Sequence, residues 1–471
     1  MRALRNRLAR LGQGERGLTL AEVIVAMMIF SLVALGVGYS LVMVLHMTND
    51  ARGKQTATNL AAAEIDTARA AATLSGLSSH TNTVVVDGRD YKVAVQTRWV
   101  GSIGGADGLC SSGTGALLYK RVNVSVTWEG MSAGAAPVVT DTVVAPSVRV
   151  NDADKGVIVV AVNDVAGVGN AGVKVTAVPS AVPNGAVALT TAPSPTDQQG
   201  CAVILNVKPG NYDVSISRPG ALIPSVDSIT QQAIPSLKVE VIAGASAFAP
   251  FQYDVASIFT LKYASNYVGA VTLPNSLDKT FATDNRIYVT TAAAPFYLHP
   301  YPSGYSVIAG KLAASGSSVS SCSSVDPAAW PAATVGGTDV VGVRMPPAAS
   351  QPGQAPVSPL PVVSPVPMGV VQIASLARNT YVKATGQKTG PGGDPGCSTP
   401  STYVFGPLAT GTATLALPFG TWELRQGTSA TAQTSNVDDK ATTLKTAGVM
   451  GKVSGTVVVT MDPRVPAAVA P

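Results

Sequence analysis

A long, nearly uncharged apolar segment close to the start of the chain limits what this sequence can fold into more than any other feature. Residues 18–45 contain a single charged side chain, Glu22. As an α-helix this segment is about 42 Å long, which exceeds the ~30 Å hydrocarbon core of a bilayer. Residues 1–17 contain five arginines and one glutamate. This basic flank predicts a membrane-spanning helix with its N-terminus in the cytoplasm and the remainder of the chain exported.

The position of Glu22 separates the possible roles of this helix. A carboxylate inside a membrane helix costs roughly 2.5–3.5 kcal/mol. A simple anchor gains nothing from this charge, whereas an assembling helix can pair it with a positive group. A cleaved secretory signal is disfavoured because its apolar region is normally about 7–15 residues long. A single-pass anchor and an assembly helix are therefore the two interpretations to separate.

Residues 16–27, with the sequence RGLTLAEVIVAM, resemble the N-terminal signature of type IV prepilins and pseudopilins. The resemblance implies that a prepilin peptidase cleaves after Gly17 and that Leu18 becomes the methylated N-terminal residue. It also implies that Glu22 neutralises the N-terminal amine of a neighbouring pilin subunit when the helices assemble into a filament. Leu18 stands where phenylalanine is commonest, and Ala21 stands where a larger aliphatic residue is usual. Both departures disfavour an abundant major pilin.

The helix is expected to continue beyond the apolar segment. Small and apolar residues recur at three- or four-residue spacing, at Ala57, Ala61, Ile65, Ala68 and Ala72. This spacing predicts one buried face of an amphipathic helix. Gly36, Gly38 and Gly53 lower the local helix propensity by up to ~1 kcal/mol each. Close helix packing and a segment that loosens during assembly would both account for these glycines.

The rest of the chain has the patterns of β-structure. Residues 83–100 and 117–128 alternate polar and apolar side chains, as half-buried antiparallel strands do. Residues 157–219 contain several short strands and resemble a transthyretin-like or carboxypeptidase-regulatory immunoglobulin-like domain. Residues 411–426 repeat part of this pattern. The matching pairs are Gly200 with Gly411, Pro209 with Pro418, Gly210 with Gly420, and Tyr212 with Trp422.

These patterns predict an α+β fold class, with a long N-terminal helix and a small antiparallel sheet followed by several all-β sandwich modules. The predicted segments are a basic leader (1–17), a long helix (18–76, membrane-spanning over 18–47), a pilin-like antiparallel sheet (77–150), an immunoglobulin-like sandwich (151–245), a second β module (246–345), a proline-rich spacer (346–367) and a C-terminal immunoglobulin-like module (368–471). Eight prolines in the spacer favour extended backbone and disfavour a central strand. A spacer is preferred to a long loop laid across a sheet.

Charge and motifs argue against several classes of function. The net charge is +5, of which residues 1–17 carry +4, so nucleic-acid binding is not expected. HExxH does not occur, and no histidine lies near a second histidine or a cysteine in the sequence, so no catalytic site, metal site or cofactor is expected. The histidines are expected to be solvated or packed. Gly167, Gly169 and Gly172 match GxGxxG, but no helix pattern follows them, and a hairpin turn is predicted there.

Cysteine usage favours an oxidising compartment. The four cysteines lie far apart and form no CxxC pair, which favours disulfides over zinc or thioredoxin-like chemistry. Cys322 and Cys397 flank the proline-rich segment and lie in loops rich in Ser, Gly and Pro. This placement predicts a bridge between them. A bridge between Cys110 and Cys201 then follows by elimination.

The sequence therefore predicts a non-enzymatic minor type IV pilin or pseudopilin. Its expected partners are the prepilin peptidase, the membrane and other pilin subunits that contact the N-terminal helix. It is expected in the inner or plasma membrane before assembly and in an extracellular surface filament afterwards. Its β modules would serve adhesion or filament priming, with a tip position favoured by their bulk. The alternative is a plain single-pass membrane-anchored surface protein, and the type of filament and the ligand of the modules stay open.

Overall fold

The computed structural model of the chain describes residues 20–71, 77–101, 117–131, 134–145, 153–312, 321–322, 326–335, 337–349, 362–388, 390–397, 399–446 and 457–464. One long helix precedes many β-strands arranged in several small sheets, so the expected α+β class is confirmed. The chain forms two compact units. The first comprises Met1–Gly105 with Leu117–Arg149, and the second comprises Ala106–Ala116 with Val150–Pro471.

The helix α1 (Leu20–Arg69) is 50 residues long and has two parts with different surroundings. Its first part, residues 20–49, is exposed along its whole length. Its second part has one buried face, formed by Gly53, Ala57, Ala61, Ile65 and Ala68. This is the face predicted from the spacing of the sequence. Ala72 lies outside the described residues.

The first unit contains a four-stranded antiparallel sheet against which the second part of α1 packs. Its strands are β1 (His80–Val86), β2 (Arg89–Gly101), β3 (Leu117–Trp128) and β4 (Val138–Val144), and they lie in sequence order. Alternate side chains of the central strands point toward the helix, as the pattern of the sequence predicts. The buried core side chains of the sheet are Tyr91, Val93, Val95, Val122, Val124, Val126 and Trp128.

The second unit begins with a β-sandwich. Its strands are β5 (Gly156–Asn163), β6 (Lys174–Pro179), β7 (Cys201–Val207), β8 (Gly210–Ser217), β9 (Ser225–Asp227), β10 (Ser236–Val241) and β11 (Ser246–Val255). One sheet has the order β10-β8-β6 and the other the order β7-β5-β11-β9. The last strand differs from the prediction, which placed residue 246 in the next module. It pairs in parallel with β5, and its Ala249, Phe251 and Tyr253 belong to the sandwich core.

The strands that follow form smaller sheets. They are β12 (Ser257–Tyr263), β13 (Lys279–Ala282), β14 (Ile287–Thr290), β15 (Phe296–Leu298), β16 (Ser306–Ala309), β17 (Ser321–Cys322), β18 (Ala333–Val335), β19 (Thr338–Val340), β20 (Val362–Val366), β21 (Gly369–Leu376), β22 (Thr380–Gly386), β23 (Thr399–Pro400), β24 (Thr402–Leu408), β25 (Gly411–Leu417), β26 (Gly420–Gly427), β27 (Ser435–Asn436), β28 (Thr442–Leu444) and β29 (Val458–Met461). The larger sheets have the orders β15-β12-β20, β14-β13-β16, β25-β21-β28 and β24-β22-β26-β27, with β29 also paired to β26. Short 3-10 turns lie at Pro327–Ala329 and Pro391–Gly393.

The predicted second and C-terminal modules share one hydrophobic core. Phe259 and Phe281 belong to the same buried cluster as Val370 and Trp422. The predicted spacer also differs from the structure at its end, because β20 pairs in parallel with β12 at the edge of a sheet. An edge strand tolerates proline, since the missing N–H need not serve a second neighbour. We call the described residues between 257 and 464 the distal block.

The internal repeat predicted from the sequence is confirmed by the structure. The strand pair β7–β8 in the sandwich corresponds to β25–β26 in the distal block. Tyr212 donates its hydroxyl hydrogen bond to the carbonyl of Lys208, and Trp422 donates its indole N–H to the carbonyl of Pro418. Both acceptors lie four residues before the aromatic residue. Each buried aromatic ring therefore fixes the tight turn that precedes its own strand.

Candidate functional site

The first part of α1 presents a long apolar surface, and its exposure to water is energetically unfavourable. An 18-residue window within the helix has a mean hydropathy of 2.5, and none of that window is buried in the fold. Among the described residues, α1 is long and apolar enough to cross a membrane. An exposed apolar surface of this extent marks a contact with lipid or with other apolar helices.

The serine and threonine hydroxyls inside this part of the helix form hydrogen bonds within the helix. The hydroxyls of Ser31, Ser40 and Thr48 donate to the carbonyls of Met27, Gly36 and Val44, at 2.7, 2.8 and 2.8 Å. A hydroxyl bonded within its own helix adds little to the cost of entering a lipid environment. These serine and threonine residues are therefore compatible with membrane insertion.

Of the predicted processing and assembly residues, the structure describes Glu22. It lies in the first turn of α1 and is exposed. A carboxylate at this end of a helix is favoured by the helix dipole, which places partial positive charge there. Gly17 and Leu18 lie outside the described residues.

The three helix glycines have different surroundings. A Cβ atom on Gly53 would lie 2.5 Å from Nε1 of Trp128, whereas one on Gly36 or Gly38 would meet nothing within 4 Å. Close approach of helix and sheet therefore accounts for Gly53. Among the described residues, no contact accounts for Gly36 and Gly38, which lie on the exposed apolar part of α1.

Side-chain hydrogen bonds add to the packing that joins α1 to the sheet. Arg69 donates from Nη2 to the hydroxyl of Thr142 at 3.0 Å, near the end of the helix. Arg89 donates to the side-chain oxygen of Asn49 at 3.1 Å, where the exposed part ends. The sheet thus holds the second part of α1 at both ends and leaves the first part outside the fold.

The structure describes some of the cysteines in the two predicted disulfides. Neither Cys201 nor Cys397 is a free thiol. Strand β17 pairs in parallel with β23, and this pairing places the backbone of Cys322 opposite Pro400. Cys322 is thereby brought near Cys397 in the fold, as the predicted bridge requires. Cys110 and the side chain of Cys322 lie outside the described residues, so both pairings stay predictions.

The glycine motif at residues 167–172 is a hairpin turn, as predicted: Asn163 pairs antiparallel with Gly169, and Asn170 donates its backbone N–H to the carbonyl of Val162. Strands β5 and β6 on either side of it lie in different sheets, so the turn connects the two sheets of the sandwich. A Cβ on Gly169 would collide with the backbone of Gln199. Close packing of two loops, and not phosphate binding, therefore explains why glycine stands there.

The histidines differ in their burial. His46 is exposed on α1, and His80 lies 3.8 Å from the carboxylate of Glu64 at the surface. His299 is fully buried, and burial lowers the pKa of its imidazole to about 4. Within the described part of the chain, no cluster of three or more His, Cys, Asp and Glu side chains is suited to hold a metal ion.

Known proteins resemble this chain chiefly at its N-terminus. The family described as the prokaryotic N-terminal methylation motif matches residues 13–38. No curated protein sequence matches significantly. The Bacillus anthracis TIE protein is similar in structure with a TM-score of 0.19 and 11% identity, over 80% of this chain and 75% of that one. A streptococcal ancillary pilin has a TM-score of 0.17 and 12% identity, over 46% of this chain and 66% of that one.

TM-scores of this size do not establish a common fold. The relation of this chain to known proteins therefore rests on the matched N-terminal motif. It includes Gly17, Leu18 and Glu22, at the spacing described from the sequence. It also overlaps the exposed apolar part of α1. The chain therefore carries the N-terminal methylation motif of the type IV prepilin and pseudopilin family.

Proposed function

We propose that this protein is a minor type IV pilin or pseudopilin that displays β modules on a surface filament. A prepilin peptidase cleaves between Gly17 and Leu18 and methylates the amine of Leu18. The first part of α1 holds the precursor in the inner or plasma membrane and later packs among the helices of other pilin subunits. Glu22 neutralises the amine of a neighbouring subunit in that assembly. The protein acts through binding and assembly and carries out no catalysis.

The observation that carries this proposal is the division of α1 into two parts. Its exposed apolar part follows the matched methylation motif, and its second part is held by a sheet through Gly53 and the residues that follow at helical spacing. A simple anchor explains the apolar surface alone. An assembling pilin explains the apolar surface, the motif and the carboxylate of Glu22 together.

The bulk of the exported part supports a low-abundance position such as the filament tip. The sandwich and the distal block follow the pilin-like unit and account for most of the chain. A repeating shaft subunit would have to accommodate this bulk at every step of the filament. A tip subunit has no neighbour above it. Adhesion and filament priming are the roles that suit such a position.

The N-terminus of the mature protein tests the processing step. Mass spectrometry of protein from the native host is expected to find a methylated Leu18 as the first residue. Replacing Gly17 with Gln should block cleavage and leave the precursor 17 residues longer, because the peptidase needs a small residue before the cut. An intact Met1 in the wild-type membrane protein would instead support the plain membrane anchor.

Substitution of Glu22 tests the assembly step. Glu22→Val should insert into the membrane and be cleaved, since it removes a charge from an apolar helix. It should nevertheless be lost from sheared filaments in an immunoblot. The matched control is Ser31→Val, which also makes the helix more apolar but removes only a hydroxyl bonded to its own helix. Normal incorporation of Glu22→Val would refute the role assigned to this carboxylate.

A further inference from the structure

The sandwich and the distal block share a set of polar contacts, which we call the seam. On the sandwich side it consists of residues 227–231, which begin with the last residue of β9. On the distal side it consists of Arg286, His299 and Tyr301. Arg286 donates to the hydroxyl of Ser228 at 3.1 Å, and Tyr301 donates to the carbonyl of Ser228 at 3.0 Å. The backbone N–H of His299 donates to the side-chain oxygen of Gln231 at 2.7 Å. Hydrogen bonds therefore hold the seam closed.

His299 lies at the centre of these contacts and is fully buried. Its ring packs against Tyr301 with 5.0 Å between the ring centroids. Both imidazole nitrogens are buried and make no hydrogen bond among the described residues. The seam thus accommodates a neutral ring and offers no hydrogen-bonding partner to the two N–H groups of an imidazolium. Adding a proton there leaves a buried charge without direct compensation.

Charged groups from both sides of the seam act on this ring. Asp227 and Asp164 of the sandwich favour the protonated form, and Arg286 of the distal block opposes it. Burial raises the pKa of the neighbouring Tyr305, so this phenol stays neutral at acidic pH. Burial outweighs both carboxylates, so the pKa of His299 falls to about 4.

We propose that the seam is an acid-sensitive hinge, in which protonation of His299 opens the contact between the sandwich and the distal block. The closed seam holds a neutral ring, whereas an open seam exposes the ring to water and allows it to take up a proton. Opening is therefore coupled to proton uptake. Acidification of the cell's surroundings would release the distal block from its fixed orientation on the sandwich.

The pH range of the effect follows from the two pKa values of His299. The open state has the ordinary pKa of 6.5, and the closed state has a pKa of about 4. Below pH 6.5 the open state gains protons that the closed state does not bind, so the closed state loses stability as the pH falls toward 4. Between pH 7.5 and pH 5 the opening equilibrium constant should rise about 30-fold.

Hydrogen–deuterium exchange of the full chain in detergent micelles tests this proposal. After correction for the intrinsic pH dependence of exchange, peptides covering residues 227–231 and 296–305 should lose about 30-fold in protection between pH 7.5 and pH 5. Peptides from the four-stranded sheet of the first unit should not change. Protection at the seam that is independent of pH would overturn the proposal.

Two variants test whether His299 causes the loss of protection at acidic pH. His299→Phe keeps a neutral aromatic ring, and His299→Gln covers the case in which the larger ring is not accommodated. Either variant, once folded at pH 7.5, should retain its seam protection at pH 5. The matched control is His80→Phe, which removes an exposed histidine of the first unit and should leave the acid response unchanged. Equal acid opening in wild type and in both His299 variants would refute the role of this ring.

Discussion

Replacing Gly53 with alanine tests whether α1 is held by close packing on the sheet. The new Cβ atom would lie 2.5 Å from Nε1 and 2.9 Å from Cε2 of Trp128. Trp128 is only 7% exposed and packs beside Tyr91, with ring centroids 6.5 Å apart, so its rigid indole has little room to move. Forcing an extra atom into a packed core costs about 1–3 kcal/mol. Alanine also has a higher helix propensity than glycine, which stabilises the helix by up to ~1 kcal/mol.

The balance predicts that Gly53→Ala destabilises the contact between helix and sheet by about 1–2 kcal/mol, because overpacking outweighs propensity. Native-state hydrogen exchange of the full chain in micelles measures this contact locally. Peptides covering residues 53–69 should exchange about 5- to 30-fold faster than in the wild type. The matched control is Gly36→Ala, whose Cβ would meet nothing within 4 Å and which should leave exchange in residues 53–69 unchanged.

A second substitution identifies Trp128 as the opposing group. Trp128→Phe removes the five-membered ring that contributes Nε1 and Cδ1 to the clash. The substitution breaks no hydrogen bond, since Nε1 of Trp128 has no partner among the described residues. In the Gly53→Ala background it should therefore recover part of the lost protection. Slower exchange in Gly53→Ala than in the wild type would refute the packing argument and favour a role for Gly53 in loosening the helix.

Two further predictions concern the distal block. Arg464 and Asp462 form a fully buried ion pair at 2.8 Å, so Arg464→Met should cost about 3–5 kcal/mol in urea unfolding by leaving the carboxylate unpaired. The exposed variant Arg121→Met should cost below ~1 kcal/mol, and an equal loss in both would contradict this account. Non-reducing peptide mapping should recover Cys322 joined to Cys397, and a peptide joining Cys322 to any other cysteine would show that pairing to be wrong.

The features that the sequence predicts well are those set by neighbouring residues. The hydropathy of residues 18–45 and the spacing of Ala57, Ala61 and Ile65 are local patterns, and both parts of α1 follow from them. The repeated strand pair is also a local feature, because Trp422 donates its indole N–H to a carbonyl only four residues away. The motif at residues 13–38 likewise depends on order and spacing alone.

The features that the sequence does not predict depend on contacts between distant segments. Strand β11 completes a sheet by pairing in parallel with β5, which lies about 90 residues earlier. Strand β20 pairs with β12 across a similar separation, although the proline-rich segment in which it lies suggests a spacer. A short apolar stretch does not encode which partner it will pair with, so module boundaries drawn from composition fall in the wrong places. The burial of His299 has the same origin, since residues from two modules enclose it.

The arrangement of hydrophobic cores indicates where the second unit can move. The sandwich has its own core, and the strands from β12 to β29 share another. Each core resists internal rearrangement because its side chains are close-packed. The seam joins the two by a few hydrogen bonds around Ser228, Gln231 and His299, beside a small apolar cluster in which Ile258 of β12 packs against Ile223, Val226 and Ala256. Bending is therefore least costly at the seam, which is also where a single buried histidine makes the contact dependent on pH.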